Sequence, residues 1–186
     1  ASVLSVGEAA FQQCTDLSKV TLHNGTQTIG KDAFCQCGNL SSVTLPESLV
    51  SIGESAFNSC TSLTSVVVPK NIKTIEPHTF QSCSSLTNIV LPDSLVTIGE
   101  SAFQGCGMSQ IRIPDNVSVF GSFAFAECKS LTSVAIPKSM ASIERGAFNE
   151  CSNLTSVTIP EGVTTIGNQA FRWCNLLSLT LPQSLT

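Results

Sequence analysis

The hydrophobic residues of this chain recur with a period of about 23 residues. A phenylalanine marks each period, and consecutive phenylalanines are 23 residues apart except once, where the step is 22. The eight positions are Phe11, Phe34, Phe57, Phe80, Phe103, Phe125, Phe148 and Phe171. A fixed period of about 20–50 residues indicates a solenoid, in which each unit buries its apolar face against the next. We therefore expect the phenylalanines to form one internal column.

Each period contains a short stretch in which apolar and polar residues alternate. In the stretch SSVTLP, Val43 and Leu45 alternate with Ser42 and Thr44, which predicts a half-buried strand. Pro46 ends this strand because proline has no backbone N–H to donate to a ladder.

The remaining part of each period predicts a short helical segment. In the stretch GESAF, residues 53–57, a glycine precedes Ala56 and Phe57, which is consistent with one or two helical turns. The predicted fold is an α/β solenoid of about eight 23-residue strand–turn–short-helix units with one parallel sheet. Residues 1–186 form a single solenoid domain in this interpretation, and we expect the chain to be a fragment of a longer one.

Two units are one residue shorter than the others at the same place. The missing residue falls between Cys106 and Met108 in one unit and between Cys174 and Leu176 in the other. Both places lie in the predicted turn from the helical segment to the strand. A deletion in such a turn is expected to cost little stability.

The aligned units share the pattern LxxVxLPxSLxxIGxxAFxxC, with clear copies at 86–106 and 154–174. This pattern closely resembles the BspA-like leucine-rich repeats and covers essentially the whole chain. The resemblance implies a leucine-rich-repeat-like solenoid in a secreted or cell-surface adhesin-type protein, so the expected localisation is extracellular or at the cell surface. The implied partner is a host or neighbouring-cell surface protein, a matrix protein or a glycan. The repeat motif is structural and implies no catalytic residues.

Composition and charge argue against two classes of partner. Charged residues make up only 12% of the chain, and the net charge is −4. Because the charges are scattered singly and form no basic patch, no nucleic-acid partner is expected. The chain also has no run of about 18 apolar residues, so no membrane insertion is expected.

Eight of the nine cysteines follow a repeat phenylalanine by three residues, so they should form a row along the coil. A row of reduced, buried thiols is the expected arrangement, because free cysteine packs as a small apolar residue. Disulfides between neighbouring layers are the alternative. Cys35 lies outside the row and is expected to point outward, as a free thiol or paired with Cys37 under strain. The pair lacks two further ligands at zinc-like spacing, so no metal site is expected.

The sequence provides no catalytic constellation, and we expect neither an enzyme nor a cofactor. A hydrolase needs a nucleophile, a base and an orienting group in one place. The two histidines, His23 and His78, fall in different layers and at different repeat positions. There is also no glycine-rich phosphate loop and no HExxH or GxSxG motif.

Solenoids of this type use their open sheet as a contact face, which makes the outward strand residues candidate binding residues. The candidates on this face are Lys19, Thr21, Ser42, Thr44, Asn88, Gln110 and Arg112. Arg112 is the charge near the centre, and arginine is favoured in binding hot spots. For each of these residues ordinary solvation is the alternative. A second candidate surface is the convex side, where Phe123 and Trp173 are expected to be exposed.

Two other functions remain open at this point. The chain begins and ends partway through a unit, and open sheet ends favour edge-to-edge pairing, so a structural or self-assembling scaffold is one alternative. An ice-binding surface is another, because regular Ser/Thr rows on a flat sheet resemble that design. The threonine row is, however, interrupted by Val67, Val90, Arg112 and Ala135.

Overall fold

The chain folds into a β-solenoid with no helix among residues 3–186, which are the residues that the computed structural model describes. The eight phenylalanines mark about seven turns of the coil. All eight strand pairs are parallel, as predicted. The predicted α/β class is wrong in one respect, since the expected helical segments are turns.

Each coil contributes strands to two rows, whereas the sequence pattern predicted one sheet. The three-residue strands are β2 (Lys19–Thr21), β4 (Ser42–Thr44), β6 (Ser65–Val67), β8 (Asn88–Val90), β11 (Ser133–Ala135) and β13 (Ser156–Thr158). The two-residue strands are β1 (Ser5–Val6), β3 (Thr28–Ile29), β5 (Ser51–Ile52), β7 (Thr74–Ile75), β9 (Thr97–Ile98), β10 (Val119–Phe120), β12 (Ser142–Ile143) and β14 (Thr165–Ile166). Hydrogen bonding divides the two rows into six small sheets.

Two left-handed residues in each coil explain why the predicted helices do not form. In the segment after Gly53, Ser55 has φ of 56° and Ser59 has φ of 58°. A helix cannot continue through such residues, because it needs negative φ throughout. Phe57 N instead donates to Thr79 O of the next coil at 2.9 Å. We call this part of each coil, from the glycine to the cysteine, the turn side.

The phenylalanines form the predicted column along the turn side. Neighbouring rings are stacked with centroids 5.3–5.6 Å apart, and the stack continues through the 22-residue step from Phe103 to Phe125 at 5.4 Å. The six interior rings are almost fully buried, while Phe11 at one end is 44% exposed. This spacing suits offset aromatic stacking, so each coil supplies the next with both apolar area and ring contact.

A glycine after each regular two-residue strand lets the coil approach the preceding one. Gly53 N donates to Ile29 O at 2.8 Å, and a Cβ on Gly53 would lie 2.6 Å from backbone atoms of Gly30 and Lys31. The same bond, at 2.7–2.9 Å, is made by Gly30, Gly53, Gly99, Gly121 and Gly167. The IG pair in the repeat is therefore a requirement of close coil stacking.

Two coils carry glutamate in place of this glycine, at Glu76 and Glu144, and in both the two-residue strand is not paired with that of the coil before it. Neither glutamate N–H makes the corresponding backbone bond within the described part of the chain. The two-residue row ends there, between β5 and β7 and between β10 and β12. The three-residue row is also unpaired at these two steps, although β4 and β6 remain in close contact, and it is unpaired again between β8 and residues 110–112. Since even a Cβ has no room at this place, we attribute the separation to the glutamate side chain.

Candidate recognition surface on the strand face

The strand face comprises the outward side chains of the three-residue strands and of residues 110–112 and 178–180. At one end of this face Lys19 lies beside Ser42, and Thr21 lies beside Thr44, in the register of β2 with β4. Lys19, Thr21 and Thr44 are exposed and Ser42 is half-buried. These four predicted residues form one regular, polar block.

The first shortened coil interrupts the strand face near its middle. Met108 occupies the place that Leu86 holds in a regular coil, and it is fully buried. Gly107 comes so close to the preceding coil that a Cβ there would lie 2.2 Å from Ser84 O. Because the connection is short, residues 110–112 reach the strand face without forming a strand. That this deletion costs little stability stays a prediction, while the shortened coil lacks the strand that regular coils have at this place.

A groove of about 470 Å³ opens at this interruption. Its lining comes from three successive coils and consists of Thr87, Asn88, Ile89, Gln110, Ile111, Arg112, Ser133, Val134 and Ala135. The structure therefore brings together three of the predicted residues, Asn88, Gln110 and Arg112. Their outward amides and guanidinium, with the hydroxyls of Thr87 and Ser133, give the groove a polar lining.

The backbone at the floor of this groove is not paired with its neighbours. In the part of the chain that the structure describes, Gln110, Ile111 and Arg112 make no backbone–backbone hydrogen bond. Thr132 N donates to Ser109 O at 3.0 Å, so pairing stops just before the segment. Buried backbone groups are almost always paired, and exposed ones bind water or a ligand. The groove thus offers unpaired N–H and C=O groups as well as side chains.

Arg112, predicted as the charge near the centre of the face, forms an ion pair with Asp93 at 2.9 Å. Both side chains are largely exposed, at 71% and 79%. An exposed pair of this kind contributes only about 0–1 kcal/mol to stability. The guanidinium can therefore exchange Asp93 for an acidic group of a partner at little energetic cost.

An apolar ridge borders the groove on the β6–β8 side. Val67 and Val90 lie side by side in the register of these strands and are 64% and 50% exposed. Interfaces commonly combine apolar contact with a polar surround. The ridge supplies such contact beside the polar groove.

The second shortened coil opens a second groove on the same face. It measures about 330 Å³ and is lined by Ser156, Val157, Thr158, Ile159, Glu161, Ser178, Thr180, Leu181 and Pro182. Residues 178–180, which follow the deletion between Cys174 and Leu176, form no strand. Both one-residue deletions therefore coincide with a missing strand and a groove. Sequence reasoning missed the grooves, although the deletions were the signal for them.

The other two predicted residues, Phe123 and Trp173, lie on the turn side and not on the strand face. Phe123 was expected to be exposed but is half-buried, with Arg145 Cζ 5.4 Å from its ring centroid. A Cβ on Gly146 would lie 2.3 Å from the Phe123 ring, so the ring occupies space that only glycine leaves free. Trp173 is 61% exposed, and Arg172 Cζ lies 3.9 Å from its ring centroid.

The cysteines form the predicted row of free thiols, and all nine are free. From Cys37 onward each thiol of the row donates to a phenylalanine carbonyl of the preceding coil, as Cys83 Sγ does to Phe57 O at 3.1 Å. Burial raises the pKa of the Cys83 and Cys128 thiols to about 12, which keeps them protonated. Cys35 was expected to point outward but is buried at 6% exposure.

Residues 3–186 hold no group of three His, Cys, Asp or Glu side chains arranged to share a metal ion. His78, one of the two histidines, lies on the turn side with its Nδ1 buried and without a hydrogen-bond partner among the described residues. The described chain contains no helix that is long and apolar enough to cross a membrane.

A parallel β-solenoid built from LxxVxLP coils defines a leucine-rich repeat protein, a class of typically non-catalytic binding modules. A sequence model described as "BspA type Leucine rich repeat region (6 copies)" matches residues 1–85 and 73–186. The chain therefore belongs to the BspA type leucine-rich repeat family. Comparison with curated proteins gave no match.

Crystal structures of bacterial leucine-rich repeat proteins are similar to this chain over nearly its whole length. A protein from Bacteroides ovatus has a TM-score of 0.77 and 26% identity, covering 98% of this chain and 59% of its own. The T. pallidum protein TpLRR has a TM-score of 0.63 and 31% identity, covering 95% and 72%. A leucine rich cell surface protein from Faecalibacterium prausnitzii has a TM-score of 0.60 and 27% identity, covering 99% and 66%.

The chain thus spans about six tenths of the Bacteroides ovatus protein and about two thirds of the Faecalibacterium prausnitzii one. One of these similar proteins, that from Faecalibacterium prausnitzii, is described as a cell surface protein.

Proposed function

We propose that this chain is a non-catalytic recognition and adhesion module, acting in a secreted or cell-surface protein, that binds a protein or glycan of another cell through its strand face. The observation that carries the proposal is the groove at Gln110–Arg112. There an irregular coil places unpaired backbone groups, two outward amides and an exchangeable guanidinium on an otherwise regular surface. A site placed on a rigid scaffold in this way loses little entropy when it binds.

Similarity to a cell-surface leucine-rich repeat protein supports the proposed location. The small number of charged residues on the face supports recognition by hydrogen bonds and apolar contact rather than by long-range electrostatic steering. The proposed partner is a matrix protein, another surface protein or a glycan.

The test is binding of the labelled chain to cultured epithelial cells, immobilised matrix proteins and a glycan array. Arg112→Ala and Gln110→Ala should each weaken binding by about 5- to 30-fold, the effect of losing about 1–2 kcal/mol at a hot spot. Lys138→Ala, at an exposed lysine outside the groove, is the matched control and should bind normally. Unchanged binding in both groove variants, with loss in Trp173→Ala, would move the site to the turn side.

A further inference from the structure

We infer that the two grooves of the strand face act together and take one extended peptide segment of a partner protein. This inference rests on the proposed recognition function and specifies its ligand. It depends on the common origin of the grooves, their separation and the groups that line them.

The grooves have a common origin in the one-residue deletions. Each lies where a shortened connection follows a cysteine, at Gly107 and at Asn175, and each includes the non-strand segment that follows. Between them β11 pairs with β13, and the rings of Phe125, Phe148 and Phe171 stay stacked with centroids 5.4–5.5 Å apart. The two grooves therefore lie on a common rigid surface.

The separation of the grooves matches a short extended segment. Residues 110–112 and 178–180 belong to coils that are three steps apart. With neighbouring strands about 4.8 Å apart, this corresponds to about 14 Å along the solenoid. An extended chain rises about 3.3 Å per residue, so about four residues connect the two grooves. A segment of about eight residues would fill both.

The groove linings favour a peptide that carries opposite charges. Among the described residues that line the grooves, the charged side chains are Arg112 in the first and Glu161 in the second. A segment with an acidic side chain near Arg112 and a basic one near Glu161 would complement both. Hydroxyls of Ser133, Ser156 and Ser178 lie between or beside these charges and can bind peptide groups.

A peptide fits these grooves better than a glycan does. Neither lining includes an aromatic side chain on which a sugar ring could stack. The outward amides of Asn88 and Gln110 each carry donors and an acceptor, so they can bind the backbone N–H and C=O groups of an extended polypeptide that crosses the strands. The apolar ridge of Val67 and Val90 offers contact for alternate side chains of such a segment.

The experiment selects peptides from a displayed library of random twelve-residue sequences on the immobilised chain and measures their affinity by calorimetry. Two insertion variants restore the missing residue, one with serine between Gly107 and Met108 and the other with serine between Asn175 and Leu176. Each insertion should regularise its coil and close its groove. We expect each to weaken the selected peptides by about 10²-fold and the double insertion to abolish binding, because both grooves are needed.

If an insertion variant does not fold, as judged by the absence of a cooperative unfolding transition, two substitutions test whether both grooves are needed. Ser133→Trp and Ser178→Trp fill the grooves at exposed positions without changing coil length. Loss of peptide affinity in both variants supports the inference. Unchanged affinity in both, loss in only one, or recovery of peptides that bind equally to the double insertion variant would overturn it.

The failure of this inference is distinguishable from failure of the proposed function. If the chain binds cells and a glycan on the array, but no library peptide, recognition stands and the peptide ligand is wrong. If it binds cells as well with both grooves closed as with both open, the grooves are not the binding surface, and the groove-based function proposed above fails as well.

Discussion

Coils that carry glycine and coils that carry glutamate after the two-residue strand differ in how closely they approach the preceding coil. Gly99 N donates to Ile75 O at 2.8 Å, and β9 pairs with β7. Glu76 makes no such bond among the described residues, and β7 is unpaired with β5. A groove of about 200 Å³, lined in part by Glu76 and Lys73, opens at that step. The two-residue strands thus pair with the preceding coil where glycine follows them and do not pair where glutamate follows.

On the turn side, glycine coils and glutamate coils pack against the preceding coil in the same way. Across the Glu76 step, the rings of Phe57 and Phe80 remain stacked at 5.6 Å, and Cys83 Sγ still reaches Phe57 O at 3.1 Å. At this step the solenoid therefore opens along the two-residue strands while the turn side remains continuous. Grooves can form on the strand sides because the phenylalanine column keeps the coils together.

The largest expected effect is a difference in thiol reactivity. Measuring it tests whether the turn side is continuous across glutamate and glycine coils. Burial raises the pKa of Cys83, in a glutamate coil, and of Cys128, in a glycine coil, to about 12 from 9.0. At pH 8 the thiolate fraction of each should be about a thousandfold below that of an ordinary thiol. Iodoacetamide labelling followed by mass spectrometry should modify exposed Cys14 first and both buried thiols equally slowly. Much faster labelling of Cys83 than of Cys128 would show that the opening reaches the turn side.

Gly99→Glu should convert a closely packed coil into a separated one. The variant should break the bond to Ile75 O, because its side chain is forced against Pro77 N and Glu76 C, which lie 2.6 and 2.8 Å from the position of its Cβ. We expect a loss of about 2–4 kcal/mol in the free energy of unfolding, measured by urea denaturation. Glu100→Gln, on an exposed neighbour, is the control and should change stability by less than about 0.5 kcal/mol. Equal stability of the Gly99→Glu variant and the parent would refute the steric explanation.

Gly146→Ala should show how the second glutamate coil is held on its turn side. Gly146 has φ of 62°, and a Cβ there collides with the Phe123 ring at 2.3–2.4 Å. We expect a loss of about 1–2 kcal/mol. Phe123→Ser should relieve the collision, because Ser55 occupies the same place in a regular coil. A double-mutant cycle with no coupling between the two positions would mean that the ring is not packed on Gly146.

The smallest effect on stability is expected for Glu76→Gly, although it reverses the feature that distinguishes the two kinds of coil. The regained hydrogen bond contributes about 0.5–1.5 kcal/mol. The greater flexibility of glycine in the unfolded chain costs about 0.5–1 kcal/mol, so the net change should be below about 1 kcal/mol. A crystal structure of the variant should show residue 76 N donating to Ile52 O and β5 paired with β7. A groove that persists in that structure would assign the separation to another residue.

The period of the sequence was enough to predict the solenoid, its parallel pairing and its phenylalanine column. It failed at the segment after Gly53, because the apolar spacing of a short helix and of these turns is the same. The left-handed residues there include Ser55 and His78. Their residue types do not predict a positive φ, whereas a glycine would. The two-residue strands were missed because they are too short to show alternation, although the IG pair marked each of them.

The candidate site was predicted in part. Asn88, Gln110 and Arg112 were placed on one face by strand alternation, and the structure brings them to one groove. Alternation could not show the groove itself, which arises from the lost residue before Met108. The ion pair of Arg112 with Asp93 joins two coils. It could not be predicted from the sequence because it depends on how the coils stack in three dimensions.

Hydrogen–deuterium exchange of individual amides, followed by NMR, tests most directly whether departures from the repeat open an otherwise closed solenoid. We expect amides of residues 110–112 and of Glu76 and Glu144 to exchange at least about tenfold faster than those of Gly53, Gly99, Gly121 and Gly167, which are hydrogen-bonded. Equal protection of the two groups would contradict the account, because it would mean that the irregular coils are paired as closely as the regular ones.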